Sequence, residues 1–395
     1  MAGVVVIGAG LAGLRAAESL RQNGYQGSLT IVGDEEHGPY NRPPLSKDLL
    51  RGAVSEESCR FDTAGLDATW LLGRSAVRLD VAGRRVTLDD GSRLGYERLL
   101  VATGCRPRPW PAPVPSAGVH MLRSLDDARR LRRAARESRR AVIVGGGFIG
   151  CEIAATLREL GLEVVLLDTA EQLITPLGPE LGRRARTWHE DAGVAVHLGV
   201  RVERFLGGAR VSGVRLADGR VFDADLVVIG IGAVPNTEWL AGSGLRLESG
   251  GVLCDERCLA AGAPEIGVVG DIAARPDPWT GQPRRVEHWT NAVDTAITAA
   301  TNLFAGAGAG VVHRSIPTFW TDQYHYKLKA VGWPAAADNV SVVADEPGRQ
   351  RLVAEFHRAG QLVAAATVND HRAHLRYRRR LADVATRPER LPLSA

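Results

Sequence analysis

Residues 4–21, VVVIGAGLAGLRAAESLR, and residues 141–158, AVIVGGGFIGCEIAATLR, are one signature written twice, 137 residues apart from Gly8 to Gly145. In each copy an apolar run, Val4 to Ile7 or Ala141 to Val144, breaks into G-x-G-x-x-G and opens a helix-forming stretch, the context the motif needs to bind a dinucleotide. The glycines divide the work. Gly8 and Gly145 permit the tight turn, Gly10 and Gly147 leave bare backbone for a pyrophosphate, and Gly13 and Gly150 let helix and strand approach closely. The helix start adds free N–H groups and the positive end of a dipole. An acid about 20 residues further on, at the end of the second strand, accepts the ribose hydroxyls. Asp34 or Glu35 fills that place in SLTIVGDEE and Asp168 in LEVVLLDTA. One glycine turn can exist for packing alone. Strand, loop, helix, second strand and acid, all repeated, predict an α/β protein with two Rossmann-like dinucleotide-binding domains, two nucleotide cofactors held at once, and therefore electron transfer.

The remaining composition sets bounds. A chain of 395 residues supports two or three domains with sizeable cores, and 45% hydrophobic with 24% charged residues is ordinary for a soluble globular protein. MAGVVVIGAG enters the first strand directly, without a signal-type segment, and no run of about 18 apolar residues occurs, so a cytoplasmic protein with no membrane partner is expected. Five cysteines, Cys59, Cys105, Cys151, Cys254 and Cys258, form no C-x-x-C pair, which argues against a disulfide framework and against any metal site. The formal charge of +4 rests on arginine, densest in DDARRLRRAARESRR (126–140) and RAHLRYRRRL (372–381). At helical spacing such runs read first as solvated faces; nucleic-acid binding or partner docking is the weaker alternative.

Along the chain, residues 1–112 form a first unit ending in LLVATGCRPRPWPAPVP, whose prolines mark a crossover. Residues 113–239 carry the second signature, and their tail, DLVVIGIGAVPNTEWL, repeats the strand-then-glycine pattern of ERLLVATG. Residues 240–316, with EIGVVGDIAA and the amphipathic stretch VEHWTNAVDTAITAATNLF, are expected to return to the first unit and complete it. From residue 317 to 395, strand-like runs followed by a basic helix predict a small α+β third domain.

Seven segments carry a resemblance: PYNRPPLSK (39–47), VATG (101–104), GGGFIGCE (145–152), VIGIGAVPNTEWL (228–240), VGDIA (269–273), VEHWTNA (286–292) and PTFWTDQY (317–324). The chain resembles the ferredoxin, rubredoxin and putidaredoxin-type reductases of bacterial oxygenase systems, a branch of the glutathione-reductase-fold flavoproteins that also includes apoptosis-inducing factor. The segments span nearly the whole chain in family order.

That resemblance implies FAD on the first signature and NADH on the second. FAD contacts would come from Gly8, Gly10, Gly13, Asp34 or Glu35, Arg42, Lys47, Thr103, Gly104, Arg123, Asp271, Glu287, His288 and Trp289; NAD contacts from Gly145, Gly147, Gly150, Glu152, Asp168 and Gly232. Lys47, Glu152, Trp289 and Trp320 would do the chemistry at the flavin edge, with core packing as the plainer reading of the aromatics and an ordinary interdomain ion pair as that of Lys47 with Glu152. The redox cysteine pair of the disulfide reductases, and the single cysteine of the related peroxidases and oxidases, are absent from Arg42-Pro43-Pro44-Leu45-Ser46-Lys47, so electrons must leave the flavin by another route. The implied activity is an NADH-dependent ferredoxin reductase: hydride from NADH to FAD, then single electrons to an acidic iron–sulfur ferredoxin that feeds a monooxygenase or dioxygenase. Rubredoxin, oxygen or a quinone as acceptor, or an NADH-sensing flavoprotein that binds a macromolecule, are the alternatives.

Overall fold

The computed structural model describes residues 3–305 and 310–385. Strand β1 (Gly3–Ile7) is buried along its whole length, which is why it reads as an unbroken apolar run and not an alternating one. It leads into α1 (Leu11–Gln22) and pairs in parallel with β2 (Leu29–Gly33), which pairs with β3 (Thr69–Leu72); on its other side β1 pairs with β4 (Arg93–Val101).

The second unit repeats this plan. It consists of β5 (Val119–His120), α2 (Leu125–Arg136), β6 (Arg140–Val144), α3 (Phe148–Glu159), β7 (Glu163–Leu167), α4 (Gly178–Asp191), β8 (Ala195–His197) and β9 (Leu226–Ile229). Its strands lie parallel in the order β8-β7-β6-β9-β5, with a three-stranded antiparallel sheet (Val202–Gly207, Val211–Leu216, Val221–Asp223) between β8 and β9 in sequence. The repetition extends to backbone geometry. Gly8 and Gly145 both have φ +116°, and a Cβ on either would lie 2.2 Å from a carbonyl oxygen, that of Ala102 or Gly230. A Cβ on Gly13 or Gly150 would lie 1.9 Å from the oxygen of Gly8 or Gly145. Only glycine fits these four positions.

Residues beyond 239 go back to the first sheet. Strands β10 (Leu259–Ala260) and β11 (Ala263–Val268) form its far edge, β11 in parallel register with β4 (Ile266 opposite Leu99), and α5 (Trp289–Asn302) lies against α1 through buried small residues, Ala12, Ala16 and Ala17 facing Ala292, Ala296 and Ala299. The two crossings between the units pair with each other, Cys105–Pro107 antiparallel to Ala233–Pro235. The last unit is a five-stranded antiparallel sheet of β12 (Thr318–Gln323), β13 (Tyr326–Gly332), β14 (Asn339–Glu346), β15 (Arg351–Arg358) and β16 (Gln361–Val368), in the order β12-β13-β16-β15-β14. Helix α6 (His371–Ala385) covers one face; the other joins the core of the second unit, Ala330, Phe356 and Ala364 clustering with Leu173 and Leu177.

The basic run on α2 is an outer face. Leu125, Ala128, Leu131 and Ala135 are buried, while Arg129 is held by Glu56 and Asp126, Arg130 by Asp127, and nearby Arg140 by Asp223 and Asp225. Much of its charge is thus answered within the protein. All five cysteines are free and buried. Among the described residues no helix is long and apolar enough to cross a membrane, and no group of side chains has the makings of a metal site.

Candidate active site

A cavity of about 530 Å³ opens where the three units meet, and its lining contains Gly8, Gly10, Asp34, Glu35, Arg42, Lys47, Thr103, Gly104, Arg123, Glu152, Asp271, Glu287, His288, Trp289 and Trp320. These residues come from eight separated segments of sequence: the first unit's parallel sheet delivers its strand-end loops to one edge, and the second and third units add Glu152 and Trp320 from the other side.

At one end stand the phosphate-loop residues. Gly10 caps α1 without a side chain, so the first-turn N–H groups stay free, and a Cβ added there would meet nothing closer than Arg42 Nη2 at 4.0 Å. Beside it, Glu35 is committed: Oε1 accepts from Arg42 Nη2 at 2.7 Å and Oε2 from the Tyr40 hydroxyl at 2.6 Å. Asp34 is exposed, and among the described residues no side chain engages it. Tyr40 also accepts from the Leu125 N–H at 2.9 Å, fastening the start of α2 to this wall. Burial and the Glu35 carboxylate push the Tyr40 phenol well above its usual range, so it stays a neutral donor.

The middle of the cavity is ordered by arginines. Arg123 donates from Nη2 to Asp271 Oδ2 at 2.8 Å and from Nε to the Cys105 carbonyl at 3.0 Å; Arg42 Nη1 donates to the Arg123 carbonyl at 2.6 Å. Arg285 Nη1 donates to Glu287 Oε1 at 2.6 Å. Thr103 and Asn236 bond reciprocally, Thr103 Oγ1 to the Asn236 carbonyl at 2.9 Å and Asn236 Nδ2 to the Thr103 carbonyl at 2.8 Å, so both crossings are locked where they pass the cavity. Cys105 is the lining cysteine, and burial with Asp271 and Glu287 nearby pushes its thiol up to about 12. Such a thiol is inert at neutral pH.

At the far end lies the Lys47–Glu152 pair, 2.8 Å apart and nearly sealed, at 8% and 5% exposure. Glu152 sits on α3, one turn into the second phosphate helix. Its carboxylate also accepts from the Ser46 hydroxyl and from Thr321 Oγ1, the latter at 2.8 Å, so donors from the first and third units converge on a carboxylate of the second. Burial raises the proton affinity of Glu152 against the pull of Lys47. Around the pair is an aromatic wall. Phe319 packs edge-on to Phe148 at 5.2 Å and against His288 at 4.6 Å; Trp289 meets Trp320 at 6.1 Å and anchors its Nε1 on Asn41 Oδ1 at 2.9 Å. His288 Nδ1 is buried with no hydrogen-bond partner among the described residues, and burial holds the imidazole down at about 4, so it is neutral. Helix α5 starts here at His288, again with no side-chain cap.

Of the residues read as the second nucleotide site, only Glu152 joins this cavity. Gly145, Gly147, Gly150, Asp168 and Gly232 lie outside its lining, on the second unit; Phe148, Ile149 and Glu152 of α3 connect the two regions. Gly147 faces open space, as does Gly232, whose φ is +96°. The Asp168 carboxylate closes over the loop, Oδ2 accepting from the Gly146 N–H and Oδ1 from the Ala170 N–H at 2.8 Å, with lone pairs left for sugar hydroxyls. Strand register shows that the two acids are not equivalent. Ile7 pairs with Val32 and Val144 with Leu167, which puts Gly33 where the second unit has Asp168. Ala9 fills the space instead, since a Cβ on Gly33 would lie 2.5 Å from the Ala9 Cβ, whereas Gly146 leaves room for Asp168. The acids of the first unit therefore come one and two positions later.

Tyr40, Ser46, Asn236, Phe319 and Thr321 are site residues that sequence reasoning passed over. All five sit inside the segments that carried the resemblance, and the period-2 alternation of β12 was the signal that Phe319 and Thr321 share a face opposite Trp320.

The donor set fits FAD and a nicotinamide nucleotide. Uncapped helix starts over bare glycine suit pyrophosphates, free carboxylate capacity at Asp34 and Asp168 suits riboses, and a buried ammonium with the open start of α5 suits a flavin ring that becomes anionic on reduction.

Comparison with known proteins agrees with this geometry. Residues 2–296 match the pyridine nucleotide-disulphide oxidoreductase family and residues 318–391 the reductase C-terminal domain. Rhodocoxin reductase of Rhodococcus erythropolis is 36% identical over 388 residues, 96% of this chain and 89% of that protein. The ferredoxin–NAD(+) reductase component of the biphenyl dioxygenase system of Paraburkholderia xenovorans is 36% identical over 371 residues, 93% and 90% of the two chains. Among solved structures, the covalent putidaredoxin reductase–putidaredoxin complex superposes with a TM-score of 0.90 at 32% identity, covering 99% of this chain and 94% of that one.

Proposed function

This chain belongs to the pyridine nucleotide-disulphide oxidoreductase family, and we propose that it is an NADH-dependent, FAD-containing ferredoxin reductase whose iron–sulfur partner feeds an oxygenase. Bound FAD supplies the junction between two-electron transfer from NADH and one-electron release. The protein supplies the arrangement. Asp34, the uncommitted acid of the first unit, takes the FAD ribose, while Glu35 holds Arg42 and through it Arg123. Lys47, fixed by Glu152, places a cation where negative charge develops on reduction; the start of α5 adds N–H groups from another side. The second phosphate loop and Asp168 seat NADH so that its nicotinamide end reaches the cavity past Phe148 and Ile149. With the thiol of Cys105 protonated and no redox cysteine pair at 42–47, the exit for electrons is the aromatic edge.

One observation carries the acceptor assignment. Trp320 and its neighbour Phe319 line both the 530 Å³ cavity and a second, outward groove of about 320 Å³ whose other walls include Lys327, Lys329, His371 and Arg378. A cationic groove separated from the flavin site by the Phe319 and Trp320 rings suits an acidic redox protein and short-range electron transfer. Free buried cysteines and use of NADH suit a cytoplasmic setting. The test is NADH-driven reduction of a terminal acceptor through added [2Fe–2S] ferredoxin: a rate that depends on ferredoxin, weakens as salt rises and drops in Lys329→Glu supports the proposal, whereas turnover indifferent to every acidic ferredoxin tried refutes it.

A further inference from the structure

Strand β12 presents different residues to its two sides. Thr318, Trp320 and Asp322 line the cationic groove, which Phe319 also borders, while Thr321 and Gln323 point inward at 0% exposure. Thr321 Oγ1 accepts from Gln323 Nε2 at 3.2 Å, which directs its own proton elsewhere, and the acceptor within reach is Glu152 Oε1 at 2.8 Å. The chain of bonds has one polarity, amide to hydroxyl to carboxylate. We propose that Thr321, oriented by Gln323, is a positioning residue for hydride transfer: from the third domain it sets the orientation and proton affinity of Glu152, and thereby holds the Lys47 ammonium at the flavin.

The surroundings make this a controlling bond. The titratable groups interacting with Glu152 are Lys47, from the turn at 43–51, and the Cys151 thiol beside it on α3; Ser46 and Thr321 are its neutral donors. Among the described residues Lys47 has one further acceptor, the Pro43 carbonyl at 3.4 Å, so its position follows the carboxylate. Ser46 is tied to the helix that carries Glu152, its carbonyl accepting from Thr156 Oγ1 of α3 at 2.8 Å. Thr321 alone among these donors belongs to the unit that carries the cationic groove, and Trp320 precedes it. Trp320 and Thr321 are successive residues on opposite faces of one strand, so a shift of the β12 backbone displaces both side chains together.

The inference rests on the cavity's being the flavin site, and its test separates the two. In the holoenzyme of Thr321→Val, isosteric but without a donor, the carboxylate loses one of its hydrogen bonds. The pH midpoint of the Glu152 carboxyl C=O band in infrared difference spectra, assigned by its loss in Glu152→Gln, should move up by about 1 to 2 pH units, a 10- to 100-fold rise in proton affinity. Flavin reduction by NADH, followed anaerobically in stopped flow, should slow by about 3- to 30-fold at unchanged NADH affinity. Thr321→Ser should restore both, and Gln323→Leu should give part of the shift. Holoprotein that keeps its flavin and its fold but shows no change in band midpoint or reduction rate in Thr321→Val overturns the inference, as does a serine variant that behaves like valine. Protein that never binds flavin overturns instead the reading on which it stands.

Discussion

Replacing Glu152 by leucine should injure the protein in two separable ways. The carboxylate is 5% exposed and paired at 2.8 Å with a lysine 8% exposed, so removing it alone leaves a buried ammonium without its counter-ion, a loss of about 3 to 5 kcal/mol. The Ser46 and Thr321 hydroxyls lose their acceptor as well. Changing Lys47 to methionine in the same protein removes the orphaned charge, and replacement of a buried ion pair by apolar groups of similar size is commonly neutral or favourable. The double variant should therefore recover most of the lost stability, short of about 1 to 2 kcal/mol for the two stranded hydroxyls. It should not recover chemistry. A preorganised charge beside a developing anion is worth about 100-fold or more in rate, and both variants lack it. Urea unfolding of the flavin-loaded proteins measures the first effect, and anaerobic stopped-flow reduction by NADH the second. A single Glu152→Leu change that costs under about 1 kcal/mol, or a double variant that reduces its flavin at the wild-type rate, would show that the pair is an ordinary interdomain contact.

Three further outcomes are expected. Gly10→Val should fold yet lose most of its FAD, since the new side chain projects into open cavity, whereas Gly13→Val should fail to fold because a Cβ there lies 1.9 Å from a backbone oxygen; a yellow, FAD-saturated Gly10→Val protein refutes the first site. NADH should be preferred over NADPH by roughly 10- to 1000-fold in kcat/KM, and Asp168→Ala should bring the two toward parity while loosening the 146–147 loop that its carboxylate clamps; steady-state kinetics with both nucleotides decide, an unmoved ratio being the refuting result. Stability should fall with acidification from pH 6.5 toward 4. His189 and His374, 0% and 5% exposed, are held down at about 4 by burial, so between those values the unfolded chain binds protons that the native state does not. Each histidine should contribute a slope of up to about 1.4 kcal/mol per pH unit, and His374→Leu should flatten the urea-midpoint profile in that window; an unchanged slope contradicts the assignment.

The sequence by itself determined the two nucleotide-binding units and their glycine turns, because a G-x-G-x-x-G between apolar strand and helix is a local constraint: at Gly8, Gly13, Gly145 and Gly150 the neighbouring backbone admits no side chain, and the chain nearby dictates that. Most other residues of the cavity were marked by the family resemblance of their segments and not by any local rule. Tertiary structure decided what no local rule contains. Asp34 and Glu35 stand side by side in sequence, yet one is bound to Arg42 and Tyr40 and the other left free, a division set by a turn that folds back across the sheet. Asp168 and Gly33 exchange places between the two repeats according to whether Gly146 or Ala9 faces them. The three donors on Glu152 come from positions 46, 47 and 321, and the last of them reaches the site only because an antiparallel sheet far along the chain packs its inner face on α3. Such contacts depend on long-range packing, in which the energy of burying a charge forces partners together irrespective of their separation in sequence.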